Sequence, residues 1–212
     1  MKMTRSWWLL VIVSLGVMIP FAAPYLTFDA ANSRVNIAPG SVQYPLLVTH
    51  ILLAAAALLT GFTQFIPRIR TERPQLHRLL GRIYVGSVLI SALLALPLVG
   101  YMDDFAKATG FAALALIWLF TTYKGYRAAV RRDFGAHRRW MIRSFGITLV
   151  AVSGRLLVPI LLLTYALLHG FSLPEGREGM VEDVLNVNIW AGLIANLMIV
   201  EWAVLKPKEQ KA

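Results

Sequence analysis

Six apolar runs, most of them long enough to cross a lipid bilayer, constrain this chain more than any other feature. A bilayer core of roughly 30 Å takes about 20 apolar residues in helical form. Runs at about 7–28, 44–66, 78–99, 108–123, 141–168 and 184–205 approach or exceed that length. Unbroken runs of this kind are not barrel strands, which are short and alternate in polarity, so helices are the spanning form. The expected fold is an all-α integral membrane bundle of six transmembrane helices, a single membrane domain over residues 1–212. Composition agrees: 15% of the residues are charged, where a soluble domain carries about a quarter.

The connecting segments decide the orientation. Lys2 and Arg5, the loops around Arg68–Arg82 and Lys124–Arg143, and the tail from Lys206 hold 17 of the 21 Lys and Arg residues. The alternate loops hold Arg34, Lys107 and Arg177 beside Asp29, Asp103, Asp104, Glu175, Glu178, Glu182 and Asp183. By the positive-inside rule both termini are expected in the cytoplasm, as an even number of spans requires. The first run is too long, and Phe21-Ala22-Ala23 too poor a cleavage site, for a signal peptide; Pro20 and Pro24 are expected to kink or end the helix. The fifth run is longer than a span needs and is expected to tilt or project beyond the lipid.

Charge and residue usage remove several function classes. The net charge of +10 lies in short collars beside apolar runs, a placement that reads as topology and contact with anionic headgroups rather than nucleic-acid binding. The absence of Cys excludes disulfides, thiolate metal sites and cysteine nucleophiles. No serine-nucleophile motif, P-loop or dinucleotide fingerprint is present, so no catalytic motif marks an enzyme.

Polar residues inside the runs fall on narrow faces. At about 100° per residue, His50, Ala54, Ala57, Gly61 and Gln64 share one line of the second span. His77, Gly81, Tyr84, Val88, Ser91 and Ala95 do so on the third, and His137, Ser144, Thr148, Ala151 and Arg155 on the fifth. These stripes are expected to face other helices and to line a shared interior, with Gln64, Tyr84, Ser144 and Thr148 as lining residues. The third and fifth spans open alike, with His77-Arg78 and His137-Arg138 sixty residues apart, a pattern that either a duplicated helical hairpin or positive-inside selection produces.

Arg155 is the residue that placement alone does not explain. It lies about 21 Å along the fifth span from Met141, where an arginine costs roughly 2.5–3.5 kcal/mol on insertion scales. Glu201, at comparable depth in the sixth span, or a backbone carbonyl is the expected acceptor. His77 and His137 stand at equal depth, each followed by arginine, as two ligands of haem b with counter-charges for its propionates would. His50 has no histidine at its own depth unless His169 bends back to it. A protein zinc site is disfavoured, since no further acid or histidine lies at close spacing. Three readings stay open: a membrane carrier of haem b or quinone using His77, His137, His50 and Arg155; a transporter of small molecules or ions; and a non-catalytic membrane partner or sensor.

The series His50, Gly61-Phe62-x-Gln64-Phe65, Arg70, His77-Arg78-x-x-Gly81-Arg82-x-Tyr84, Trp118 and His137-Arg138-Arg139-Trp140-Met141-Ile142-Arg143-Ser144 through Arg155 resembles the bacterial membrane family catalogued as domain of unknown function 2306. The resemblance covers spans two to five. It implies a multi-pass inner-membrane protein and directs attention to His50, His77, His137 and Arg155, with no activity implied.

Overall fold

The computed structural model describes residues 3–205; Lys2 and the polar tail Lys206–Ala212 lie outside the described residues. Eight α-helices account for most of the rest: α1 Arg5–Ala22, α2 Gln43–Gln64, α3 Pro67–Glu72, α4 Pro74–Val99, α5 Phe105–Val130, α6 Phe134–Thr148, α7 Val150–Leu168 and α8 Gly176–Met198. No strand is present among the described residues. Six segments are long and apolar enough to cross a membrane: Arg5–Thr27, Gln43–Gln64, Pro74–Val99, Phe105–Val130, Val150–Leu168 and Gly176–Trp202. The chain is an all-α, multi-pass membrane protein.

Local chemistry explains the ends of these helices. Pro24 has no N–H, so the first helix gives way after Ala22 to a 3₁₀ turn, Ala23–Thr27. The side chains of Asp104 and Asp133 cap α5 and α6, accepting from Lys107 N at 2.7 Å and Ala136 N at 2.9 Å. α5 ends in a Schellman turn: Asp133 N reaches back to Ala128 O and Arg132 N to Ala129 O, with Arg132 left-handed at φ 59°. The segment expected to be a loop from Lys124 is thus the last two turns of α5, a three-residue turn and the start of α6. Its basic residues face out along helices instead of a flexible linker. The sixth span likewise begins at Gly176, not Val184, because its first two turns carry acidic residues that stand clear of the apolar segment.

The fifth span departs from expectation most. Instead of one helix over 141–168, α6 and α7 meet at a break at Leu149, and only α7 is apolar enough to span by itself. No proline or glycine occupies the break. Two side chains act on the backbone there: Thr148 Oγ1 donates to Ser144 O at 3.0 Å, and Asn196 Nδ2 donates to Gly146 O at 2.8 Å. The Gly146 carbonyl is the acceptor that Val150 N–H takes in an uninterrupted helix, so a side chain inserts in the ladder.

Around the break, α4 packs between α2 and α5, α5 packs on α6 and α8, and α7 packs on α8, while α1 lies outside against α7. Tyr84, Val88 and Ala92 of α4 sit at the centre with Ala57, Val150 and Leu193, each within 2% of full burial. The α7–α8 seam is a close helix approach of the small-residue type. Gly154 and Gly192 meet there, flanked by the buried Asn188 and Asn196 at four-residue spacing. A Cβ on Gly192 stands 2.8 Å from Gly154 N and 2.9 Å from Gly154 Cα, backbone atoms with nowhere to rotate. Gly192→Ala is therefore expected to destabilise the bundle by about 1–3 kcal/mol, read as a lower unfolding midpoint in detergent. Gly16→Ala, whose Cβ meets nothing within 4 Å, is expected to leave that midpoint unchanged or slightly raised.

Candidate functional site

One face of α4 carries the polar residues that matter most. His77, Tyr84 and Ser91 follow at seven-residue intervals, two helical turns or about 10 Å apart, and each meets a different set of partners.

Ser91 and His50 form the first level, near the acidic end of the bundle. His50 Nδ1 lies 2.9 Å from Ser91 O, and Ser91 Oγ donates to His50 O at 3.1 Å. A carbonyl only accepts, so Nδ1 carries the proton and Nε2 the lone pair. The two residues clip α2 to α4 reciprocally, backbone to side chain in both directions. His169 does not join them: it is exposed, stacks on Tyr165 with ring centroids 4.0 Å apart, and bonds to the Tyr165 carbonyl.

Tyr84 forms the middle level, 1% exposed. Its hydroxyl lies 2.7 Å from Ser144 Oγ and 2.9 Å from Thr148 Oγ1. Trp118 Nε1 donates to Thr148 Oγ1 at 3.0 Å, and Thr122 Oγ1 lies 2.7 Å from Ser144 Oγ. Every direction in this cluster follows from two fixed bonds. Thr148 uses its one proton on the Ser144 carbonyl, so it accepts from Trp118 and from Tyr84. Tyr84 then accepts from Ser144, and Ser144 accepts from Thr122. Each hydroxyl donates once, and the series ends on a backbone carbonyl. Such a cluster pins α4, α5 and α6 together; it is not a proton wire, because its last acceptor has no proton to pass on. Gln64 does not enter it. Gln64 packs against Gly81 and lines, with Gly61, Phe65, Tyr84, Met141 and Phe145, a cavity of about 20 Å³, room for one water at most.

His77 and His137 form the third level, at the basic end. α4 and α6 both start from this end, and each histidine is the fourth residue of its helix. The Tyr84–Ser144 bond sets the registry between the two helices, and each histidine precedes its contact residue by seven positions. The two imidazoles therefore stand at one height on corresponding faces. Both are half-buried. His137 Nδ1 lies 2.9 Å from the Gly125 carbonyl and so carries the proton there, leaving the Nε2 lone pair outward. His77 Nδ1 is buried with no hydrogen-bond partner. The titratable groups that face His77 are His137 and Arg70. Two imidazole nitrogens without protein partners at one level can ligate a metal-centred group or share a proton. Among the described residues, no cluster of three or more His, Asp or Glu could hold a metal ion by itself.

Arg155 lies apart from all three levels. Its Nη1 donates to Ala151 O at 2.6 Å, and its guanidinium carbon stands 4.3 Å from the centroid of the Phe21 ring on α1. Of the two acceptors open to it, a carbonyl and Glu201, Arg155 thus uses a carbonyl; Glu201 belongs to Arg143, with Nε–Oε1 at 2.5 Å and Nη2–Oε2 at 2.8 Å. The two depths are counted from opposite ends of antiparallel spans, Arg155 from the basic end and Glu201 from the acidic end, so Glu201 comes level with Arg143 rather than with Arg155. A π-helical turn, Ile199–Val204, continues α8 and presents Glu201 to Arg143, which also stacks over Trp140 at 4.8 Å. Thr122, Asn188 and Asn196 are partners that the sequence reading did not single out. The four-residue spacing Asn188-Gly192-Asn196 is the signal that marks two of them.

Residues 47–175, from α2 to the loop after α7, match the model of a family described as predicted membrane protein (DUF2306). The matched segment contains His50, Tyr84, His77, His137 and Arg155, and leaves out α1 and all of α8. No curated protein and no solved structure matches the chain.

The middle level generates an ordered stability series. Tyr84→Phe leaves one donor, Ser144, without its acceptor; Thr148→Val leaves two, Trp118 and Tyr84. The expected losses are about 1 kcal/mol for the first and roughly twice that for the second, measured by reversible denaturation in mixed micelles. Equal effects of the two would contradict the assigned directions.

Proposed function

The chain belongs to this family of predicted membrane proteins, and from that premise we propose that it is a membrane redox carrier in which His77 and His137 hold haem b. The observation that supports the reading is the Tyr84–Ser144 bond at 2.7 Å, since it sets the two histidines at one height on two parallel helices that the Tyr84 side chain bridges. One further feature favours it. A ligating histidine ordinarily donates its other ring N–H to a carbonyl or carboxylate, which fixes its tautomer, and His137 makes that bond to Gly125; the buried Nδ1 of His77 makes none among the described residues. Held by His77 and His137, haem b would supply one-electron transfer.

The chain's own residues would orient and insulate such a group. The Gly125 carbonyl holds the ring plane of His137. Arg78 and Arg138, each next to a ligand and exposed, stand free to neutralise propionates. Below the histidines the bundle closes: Met141 and Phe65 leave only the 20 Å³ cavity before the saturated hydroxyl cluster at Tyr84. The carrier would exchange electrons at its basic end, not through the bundle. In this reading the protein lies in a bacterial inner membrane, with the basic end and both termini cytoplasmic by the positive-inside rule.

Protein purified from haem-replete cells is expected to show a Soret band that His77→Leu and His137→Leu each remove and His50→Leu retains. No band, or one that survives replacement of both histidines, overturns the assignment. Reporter fusions at Ser33 and Arg132 are expected to report opposite sides, Ser33 outside and Arg132 in the cytoplasm.

A further inference from the structure

At the acidic end, two arginines share one aromatic ring and no acid. Arg155 of α7 and Arg34 of the segment before α2 have their guanidinium carbons 4.3 Å and 4.9 Å from the centroid of Phe21. Each guanidinium uses one N–H on a backbone carbonyl among the described residues. Arg155 takes Ala151 O, and Arg34 takes Pro20 O at 2.9 Å, a carbonyl that Pro24 leaves without its helical donor. Each group has five N–H donors, so most of their hydrogen-bonding capacity points elsewhere. Among the described residues the two ion pairs are Arg68–Glu72 and Arg143–Glu201, and neither involves these arginines. Asp29, the carboxylate nearest to Arg34 in sequence, accepts from Ala31 N at 2.9 Å and caps a short turn.

Two like charges held on one ring repel each other, and the one within a spanning helix, Arg155, keeps unmet donors in a medium of low dielectric while Arg34 is exposed beside it. A cation–π contact compensates such a charge by only about 0.5–2 kcal/mol. An anion between the two guanidinia removes both penalties, and planar forks of this kind match phosphate oxygens in pairs. The setting specifies the anion further. Phe21 and Arg155 lie where α1 covers the outside of α7, and exposed apolar side chains flank both, Ile19 before Phe21 and Leu156 after Arg155. A group that reaches Arg155 passes along lipid-facing surface.

We propose that Arg34 and Arg155 bind a phosphate group across Phe21, carried by a lipid headgroup from the leaflet at the acidic end. The site lies at the opposite end of the bundle from His77 and His137 and stands independently of the haem reading.

The test uses the full-length protein, delipidated in an uncharged detergent, and reads its unfolding midpoint against added short-chain phosphatidylglycerol, short-chain diacylglycerol or inorganic phosphate. Phosphatidylglycerol is expected to raise the midpoint saturably, with the apparent affinity falling at least about tenfold in Arg34→Gln and in Arg155→Gln. Diacylglycerol and free phosphate are expected to do nothing at the same concentrations. A shift with free phosphate that both variants lose would still support the phosphate site and reassign its source to a soluble ligand. No shift with the lipid, an equal shift with diacylglycerol, or an unchanged affinity in Arg34→Gln overturns the proposal. Arg34 lies outside the helices, so that variant keeps the test decisive if Arg155→Gln does not fold.

Discussion

The hydroxyl of Tyr84 is the point on which the arrangement of this bundle turns. It takes a proton from Ser144 and gives one to Thr148, and those two residues are the last turn of α6 before the chain breaks at Leu149. A single side chain of α4 thus holds both the height of α6 and the end of its helix. Polar bonds of this kind are individually worth little in a membrane, because competing partners are available before the helices associate. Their value here is positional. Hydrocarbon side chains allow a helix to slide or rotate with small loss; a hydroxyl set in which every donor has one acceptor does not. Every functional statement about His77 and His137 depends on that registry.

The arginines separate into three physical situations. Those of the collars, Arg78, Arg138 and Arg139 among them, stay exposed and meet solvent or headgroups, where a charge costs nothing. Arg143 is partly buried and has a bidentate carboxylate, with Trp140 beneath it. Arg155 has only a carbonyl and a ring. A pair such as Arg143–Glu201 is destructive to break and modest in its net contribution, which makes it a device for placement: it fastens the end of α8 to α6, as Asn196 does one turn earlier on the Gly146 carbonyl. α8 is therefore attached by polar groups to α6 before the break, and by the Gly154–Gly192 contact to α7 beyond it.

What the sequence reveals follows from what lipid demands. Lipid tolerates no unpaired backbone, so six apolar runs announce six helices without ambiguity. Their ends are less legible, because a helix that leaves the bilayer continues with polar residues: the basic turns of α5 past Tyr123 and the acidic turns of α8 before Val184 resemble loops. The break at Leu149 carries no proline or glycine, and its cause lies in two side chains, one of them 47 residues further along the chain. The α4 face bearing His77, Tyr84 and Ser91 is legible in full from helical periodicity. Its partners are legible only in part, since periodicity gives an angle about one helix and not the identity of the neighbour. Ser144 and Thr148 are visible as a stripe; Thr122 is not, and of the two acceptors open to Arg155 the sequence does not select the carbonyl that it uses.

The contact between Phe21 and Arg155 also says something about biogenesis. These residues lie far apart in the order of synthesis, one in the first of the six spans described and one in the fifth. α1 packs chiefly on α7, so as the chain emerges from the ribosome it enters the bilayer with none of its final neighbours made. Until α7 follows, the aromatic contact it makes with the next span is Trp7 against Phe62 of α2, ring centroids 6.3 Å apart. Its uniform apolarity suits that interval, because a helix with a polar stripe would seek partners early. The two prolines near its far end keep the ring at the interface, where a late arginine can find it.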